Sequence, residues 1–301
     1  MANAVDFNLL PTPSIIETVD FEAILAEKKA RFIADYPELA AVIELESEPS
    51  VKILQDGAYQ EMLLRNRYNQ EVRELLLATA TGNNLDHIGI TYYNGEQRLL
   101  VTAGDPDAIP PTEDIYETND EYRYRLSLQP EGYSTAGPDG AYIYHALSAS
   151  GQVKDAKPSS TVAAGQVDVY IISRTGDGSA SAELIDTVAE ALNDKMIRPL
   201  CDEVNVHSAT IVPYQLNVEL VLYPGAAAEL AINNAESKLA LFANSMHRIG
   251  GDIDESAIKG VSYASTIKRI SILEPAANIY CDDTQAPFCT GITVSVAGVE
   301  A

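Results

Sequence analysis

The sequence predicts an α+β protein: a helical N-terminal region with one long helix, followed by two small α+β lobes with a candidate internal duplication. Three observations predict it. After Pro49 no proline occurs until Pro106, and the run opens with apolar residues at helical spacing. From Asn119 onward, segments of helical period alternate with short apolar runs. Around Gln215 the period becomes two. Leu216, Val218, Leu220 and Leu222 fall on one strand face, against Gln215, Asn217, Glu219 and Val221 on the other.

Pro11 and Pro13 keep the leading segment extended. Asp20 is placed to cap a first helix whose apolar side is Phe21, Ile24, Leu25, Phe32 and Ile33, ended by Tyr36-Pro37. Pro49 suits the first turn of a second helix, read from Ser50 to Ala80, a rod of about 45 Å at 1.5 Å per residue. Val51, Leu54, Ala58 and Met62 form one stripe on it, and Val72, Leu75, Leu76 and Leu77 a second apolar block. Between them Arg65-Asn66-Arg67-Tyr68-Asn69-Gln70-Glu71 is a polar waist, either exposed or holding polar contacts. Glu61 and Arg65 stand in the favourable i, i+4 order. Gly82 is expected to stop the rod and Asn84 to cap a short helix, with Tyr92-Tyr93-Asn94-Gly95 as strand and turn.

Thr102 to Glu121 carries seven acids, no Lys or Arg, and prolines at 106, 110 and 111, which reads as an acidic linker or a solvated loop. Helices are then expected from Asn119 or Asp120 (Tyr122, Leu126, Leu128) and from Gly137-Pro138-Asp139-Gly140 (Tyr142, Ile143, Ala146, Leu147). Further helices are expected over 179–196, 226–247 and 254–261, with strands over 153–157, 166–173, 203–207, 210–223, 266–273 and 291–296. The organisation is a helical region over 1–101, a linker over 102–118, and lobes over 119–223 and 224–301. The segments 139–150 and 254–265 align, with Ile143 on Ile258, and suggest a repeated helix–strand–strand unit.

The 301 residues are 46% hydrophobic and 21% charged, an ordinary globular balance. With 20 Lys and Arg against 44 Asp and Glu, the net charge of −24 opposes phosphate backbones and anionic membrane surfaces. It favours basic partner surfaces. No apolar run reaches the roughly 18 residues of a membrane span. The first twenty residues lack the basic start of a secretory signal, so a cytoplasmic site of synthesis is expected. Cys201, Cys281 and Cys289 make no disulfide framework and are read as reduced thiols, although 281 and 289 could pair by spacing.

Catalytic signals are weak. The turn from Arg174 to Ser179 has glycines between a strand and a helix, but no Gly-Lys-Ser/Thr, and Asp177 would repel a phosphate. Ser179 or Ser181 reads as a helix cap there. Gly250-Gly251-Asp252-Ile253-Asp254-Glu255 fails as a calcium loop because its twelfth position is Tyr263. His87, His145, His207 and His247 lack zinc spacing, and His247 beside Arg248 closes a helix where positive charge suits the dipole. No catalytic residue, metal or cofactor is expected. Tyr116, Tyr122, Tyr124, Tyr133, Tyr142 and Tyr144 suit either a contact surface or a half-buried helix pair.

Several runs carry a resemblance along nearly the whole chain. They are Leu10-Pro11-Thr12-Pro13, the stretch from Asp20 to Lys29, Leu45-Glu46-Ser47-Glu48-Pro49, and Gly82 to Gly89. Next come Ile109-Pro110-Pro111-Thr112, Asp120-Glu121-Tyr122-Arg123-Tyr124-Arg125, Gly140 to His145, and Gln285 to Thr290. In this order the sequence resembles the baseplate J-like family of contractile phage tails, temperate-phage type, although some relatives continue with large extra domains. The resemblance implies a structural, non-enzymatic protein without cofactor, in the tail baseplate of a phage or an equivalent contractile particle, assembled in the bacterial cytoplasm. It implies a wedge of two copies with one copy of a second wedge protein, six wedges closing a ring around the hub. Contacts with the hub and spike, with sheath-proximal proteins and with neighbouring copies follow, without nucleic acid or membrane. The N-terminal helices would bundle with the partner. Phe21, Ile24, Leu25, Val51, Leu54, Ala58 and Met62 would then face it, with Arg65, Asn66 and Arg67 setting register. The ring would switch between two arrangements as the sheath contracts, and the acidic stretch would shift or dock on a basic neighbour. The rival expectations are a small-molecule enzyme whose carboxylates meet only in space, and a carbohydrate-binding module, which the absence of Trp disfavours.

Overall fold

The computed structural model describes residues 7–160 and 165–300. The chain is α+β and divides into two compact units, one ending at Gln97 and one beginning at Arg98. Among the described residues no helix is long and apolar enough to cross a membrane.

The first unit is helical: α1 (Phe21–Asp35), α2 (Ala40–Ile43), α3 (Pro49–Arg73) and α4 (Gly82–Tyr92). Asp20 caps α1, its Oδ1 accepting from the Ala23 N–H at 2.8 Å. The long helix is shorter than its composition suggests, 25 residues or about 38 Å, ending at Arg73 and not Ala80. The cause is Glu74. Its carboxylate accepts from the Thr81 N–H at 2.8 Å and from Asn84 Nδ2 at 3.1 Å, satisfying donors at the start of α4. That reach needs the backbone to leave the helix at 74. Gly82 therefore opens α4 instead of stopping α3, and Thr81, not Asn84, is the cap residue. Tyr92 ends α4, so the expected strand there is absent, while Asn94 and Gly95 make the turn with φ of 53° and 82°.

The second unit opens with a short antiparallel pair, β1 (Leu100–Thr102) and β2 (Ile115–Tyr116), so the acidic stretch begins and ends side by side. Then come α5 (Asn119–Leu128), α6 (Asp139–Ala149), β3 (Val153–Ser159), β4 (Gln166–Ser173), α7 (Ala182–Leu192) and β5 (Glu203–Ser208). The chain continues with β6 (Thr210–Leu222), α8 (Ala228–Met246), β7 (Asp252–Ile253), α9 (Glu255–Ser262), β8 (Ile267–Glu274), β9 (Ile279–Tyr280) and β10 (Gln285–Val299).

Two three-stranded sheets carry the lobes. One has the order β3-β4-β5 and the other β10-β6-β8. In the first lobe Ile143, Leu147, Val169, Ile171, Val188 and Leu192 pack α6 and α7 on the sheet. In the second, Leu216, Val218, Leu220 and Leu222 face Ala235, Leu239 and Ile258 of α8 and α9, as the two-residue alternation predicts. Each middle strand has one antiparallel and one parallel neighbour. The connections differ, however. β3 pairs with the strand that follows it, whereas β6, the middle strand of the second sheet, precedes the helix α9. Ile143 and Ile258 do occupy the two cores, and α9 is followed by strands as α6 is, but β8 pairs with the earlier β6 and not with the strand that follows it. β10 is much longer than the 291–296 expected. Register shifts at Cys289/Gly291 and Val296/Gly298, together with Pro287, break its alternation, and an edge strand tolerates both.

Only Ala209 separates β5 from β6, and the ladder runs on through it. Its N–H donates to Ile171 O at 2.9 Å in one sheet, and that of Thr210 donates to Thr284 O at 2.9 Å beside the other. Ile172, Ala209, Ile249 and Ala286 make a small core at this joint. Polar bonds cross it as well: Ile249 N–H to Asp155 Oδ2 at 2.9 Å, and Lys157 Nζ to Asp283 Oδ1 at 2.5 Å.

Candidate partner interface

Helix α3 and the segments against it hold the residues that the resemblance assigns to a partner. Val51, Leu54, Ala58 and Met62 recur at helical spacing, and the structure shows what covers them. Ile24, Leu25 and Ala58 form a buried cluster with Val19, Phe21, Leu54 and Met62 around it, so Leu54, Ala58 and Met62 pair α3 with α1 of the same chain. Ala58 is 0% exposed, a small residue where two helices approach, and Val51 is buried as completely. Lys28 of α1 reaches Glu61 of α3 at 2.7 Å and closes the edge of the pair.

The polar waist also has partners inside the chain. Arg65 bonds Glu61 at 2.5 Å, the expected i, i+4 pair, and approaches Glu17 at 3.5 Å. Asn69 holds the Glu17 peptide from both sides, donating to its carbonyl at 2.8 Å and accepting from its N–H at 3.1 Å. Arg67 turns to Glu71 at 2.8 Å. The side chains of Lys28 and Arg65 hold the Glu61 carboxyl below the usual carboxylate range. The waist is therefore a clamp on the segment that leads into α1, and Asn66 and Arg67 stay exposed on the helix surface.

A second, exposed stripe runs along α3. Ile53, Leu64 and Tyr68 are spaced by eleven and four residues, which keeps them on one side, with Leu63 beside them and Leu75 just past the end of the helix. All five are exposed, Ile53 and Leu75 to 72% and 77%. Tyr68, Val72 and Leu75 line a groove of about 630 Å³ with Ile15 and Glu17. Periodicity did not single out this side because Gln60, Glu61, Arg67 and Glu71 interrupt it.

The motifs with possible chemistry have structural roles. Asp177 Oδ1 accepts from the Ser179 N–H at 3.0 Å, which occupies the turn a phosphate would use and lowers the Asp177 pKa. Ser181 caps α7, accepting from Leu184 N–H at 3.2 Å. Asp254 accepts from Asn278 Nδ2 at 2.7 Å and from the Tyr280 hydroxyl at 3.2 Å. Among the described residues no group of three His, Cys, Asp or Glu is placed to hold a metal. His247 ends α8 but is not the cation expected there. Burial and the adjacent Lys154 ammonium lower its pKa to about 4, and Lys154 Nζ lies 3.1 Å from its Nδ1. The three cysteines are free, and burial pushes the Cys281 and Cys289 thiols up. The tyrosine cluster divides. Tyr122, Tyr142 and Tyr144 are buried, while Tyr116, Tyr124 and Tyr133 are exposed.

The models of two family domains match this sequence: the baseplate J-like N-terminal domain over residues 46–105 and the baseplate J-like central domain over residues 134–208. Baseplate protein J of Escherichia phage P2 is 42% identical over 299 residues, which cover 98% of this chain and 98% of that protein. A chain of the cryo-EM structure of the six-fold symmetrised anti-feeding prophage baseplate aligns at a TM-score of 0.37 and 9% identity, over 60% of this chain and 46% of that one. With 42% identity sustained through almost the full length of both proteins, the chain belongs to the baseplate J-like family.

Proposed function

We propose that the chain is a structural component of a contractile-tail baseplate, and that it acts by holding other baseplate proteins and not by catalysis. The observation that carries this is the full-length 42% identity to baseplate protein J of phage P2. In the finer reading two copies of this chain join one copy of a second wedge protein, and six such wedges close a ring around the hub. Hub, spike and sheath-proximal proteins and neighbouring copies are then its further contacts, and assembly takes place in the bacterial cytoplasm.

The α1–α3 pair supports a role in that wedge. Ile24, Leu25 and Ala58 stiffen the pair from inside and leave Ile53, Leu64 and Tyr68, with Leu75 just past the helix end, as the surface a partner helix would cover. Arg67 sits at its edge, where polar contacts set register. Native mass spectrometry of the chain co-expressed with the second wedge protein tests this. A complex of two copies with one partner, lost in Leu64→Asp/Tyr68→Asp, is the expected result. A monomer that retains no partner at moderate salt contradicts it.

A further inference from the structure

The acidic segment between β1 and β2 is built as a stiff arm. At its base Gly104 N–H donates to Asp114 Oδ1 at 2.8 Å, Asp105 N–H to Thr112 Oγ1 at 2.8 Å, and Thr112 N–H to Asp105 O at 3.0 Å. Gly104 lies so close to the Thr112 carbonyl that a Cβ there would collide with it.

The root is anchored in the first lobe. Glu117, just after β2, accepts from Leu99 N–H at 2.9 Å and from Arg125 Nη2 at 2.8 Å, in an ion pair whose side chains are 4% and 1% exposed. The guanidinium groups of Arg98 and Arg125 lie 5.0 and 5.4 Å from the Tyr122 ring centroid. Gln152 hydrogen-bonds to the Val101 carbonyl. Replacing either charge alone would leave the other buried without its counter-ion, which ties Glu117 to α5.

The arm ends in Ala108-Ile109-Pro110-Pro111, and Ile109 is 100% exposed. A flexible solvated loop needs neither the root nor the apolar tip. Asp107 and Glu113 flank the tip, and no Lys, Arg or His occurs from 99 to 122.

We infer that Ile109 is the anchor of a docking arm that enters an apolar pocket rimmed by Lys or Arg on a different protein. A second copy of this chain is a poor host, because 44 acids against 20 bases make it repel the arm. The inference rests on the structural role proposed above and names a second contact, separate from the α3 stripe.

The test uses tail particles whose full-length chain carries photoreactive benzoylphenylalanine at position 109. On irradiation the expected cross-link is to another protein of the particle, at an apolar site beside Lys or Arg. Ile109→Ser should lower incorporation into particles about ten-fold or more. Asp107→Lys/Glu113→Lys should weaken the cross-link by a similar factor, and it spares Asp105 and Asp114, which close the loop. A cross-link to a second copy, to nucleic acid or to lipid overturns the inference. So does an uncross-linked chain in particles of normal composition with Ile109→Ser fully incorporated. Absence of the wild-type chain from the particles overturns the structural role itself, and this inference with it.

Discussion

The Asp155 carboxylate accepts a hydrogen bond at 2.9 Å from the backbone N–H of Ile249, joining β3 of the first lobe to the segment after α8 of the second. Together with the strand that runs through Ala209, this bond makes the two lobes one body. Asp155→Ala leaves the Ile249 N–H without its acceptor and should cost about 1–3 kcal/mol. Asp155→Asn keeps an acceptor and should cost less. Urea unfolding of both variants checks the order.

Burial raises the Asp155 pKa above its ordinary value, so the folded chain holds this proton at pH values where the unfolded chain has lost it. Its contribution to stability therefore falls as pH rises through that window. His247 acts in the opposite sense. Its pKa is lowered to about 4 from 6.5, so between those values the unfolded chain binds the proton and the folded chain does not. Stability therefore falls as pH falls from 6.5 toward 4. His247→Gln should flatten this part of the profile, measured as the urea midpoint at pH 7 and pH 5 relative to wild type.

Glu117 and Arg125 form an ion pair withdrawn from water. Glu117→Ala should destabilise by about 3–5 kcal/mol, because it removes the opposite charge from a buried guanidinium. Glu117→Leu/Arg125→Met should recover much of that loss, since no charge is then left unpaired. Thermal unfolding of single and double variants distinguishes a charge without its counter-ion from simple loss of contacts.

Asn69→Ala should free the segment before α1, because both bonds to the Glu17 peptide are lost. Hydrogen exchange at the Glu17 amide is expected to rise sharply, with α3 itself unchanged. Equal protection in the variant would show that the clamp does not hold this segment.

The two faces of α3 should respond differently. Ala58→Leu overpacks the α1–α3 contact and should cost about 1–3 kcal/mol in the isolated chain. Leu64→Asp changes an exposed position and should leave the melting temperature within a few degrees, while weakening partner binding. Paired melting curves and partner titrations separate the effects.

Much of this architecture is legible in the sequence for local reasons. The alternation from Leu216 to Leu222 states which side of β6 is buried, and Asp20 announces the start of α1. The features that were not legible depend on distant partners. The end of α3 is set by Glu74 reaching Thr81 and Asn84, which no hydrophobic period records. The extent of β10 is hidden by its register shifts. The stripe through Leu54 and Ala58 reads as apolar, yet periodicity cannot say whether a partner or α1 covers it. The Ile53–Tyr68 stripe escaped notice because charged residues interrupt it.

The most direct measurement is quantitative mass spectrometry of purified contractile tails from cells expressing the chain with the rest of its tail genes. The account predicts the chain in the baseplate fraction at a copy number divisible by six, with tails failing to assemble when it is deleted. Tails of normal composition and function that lack the chain would contradict it.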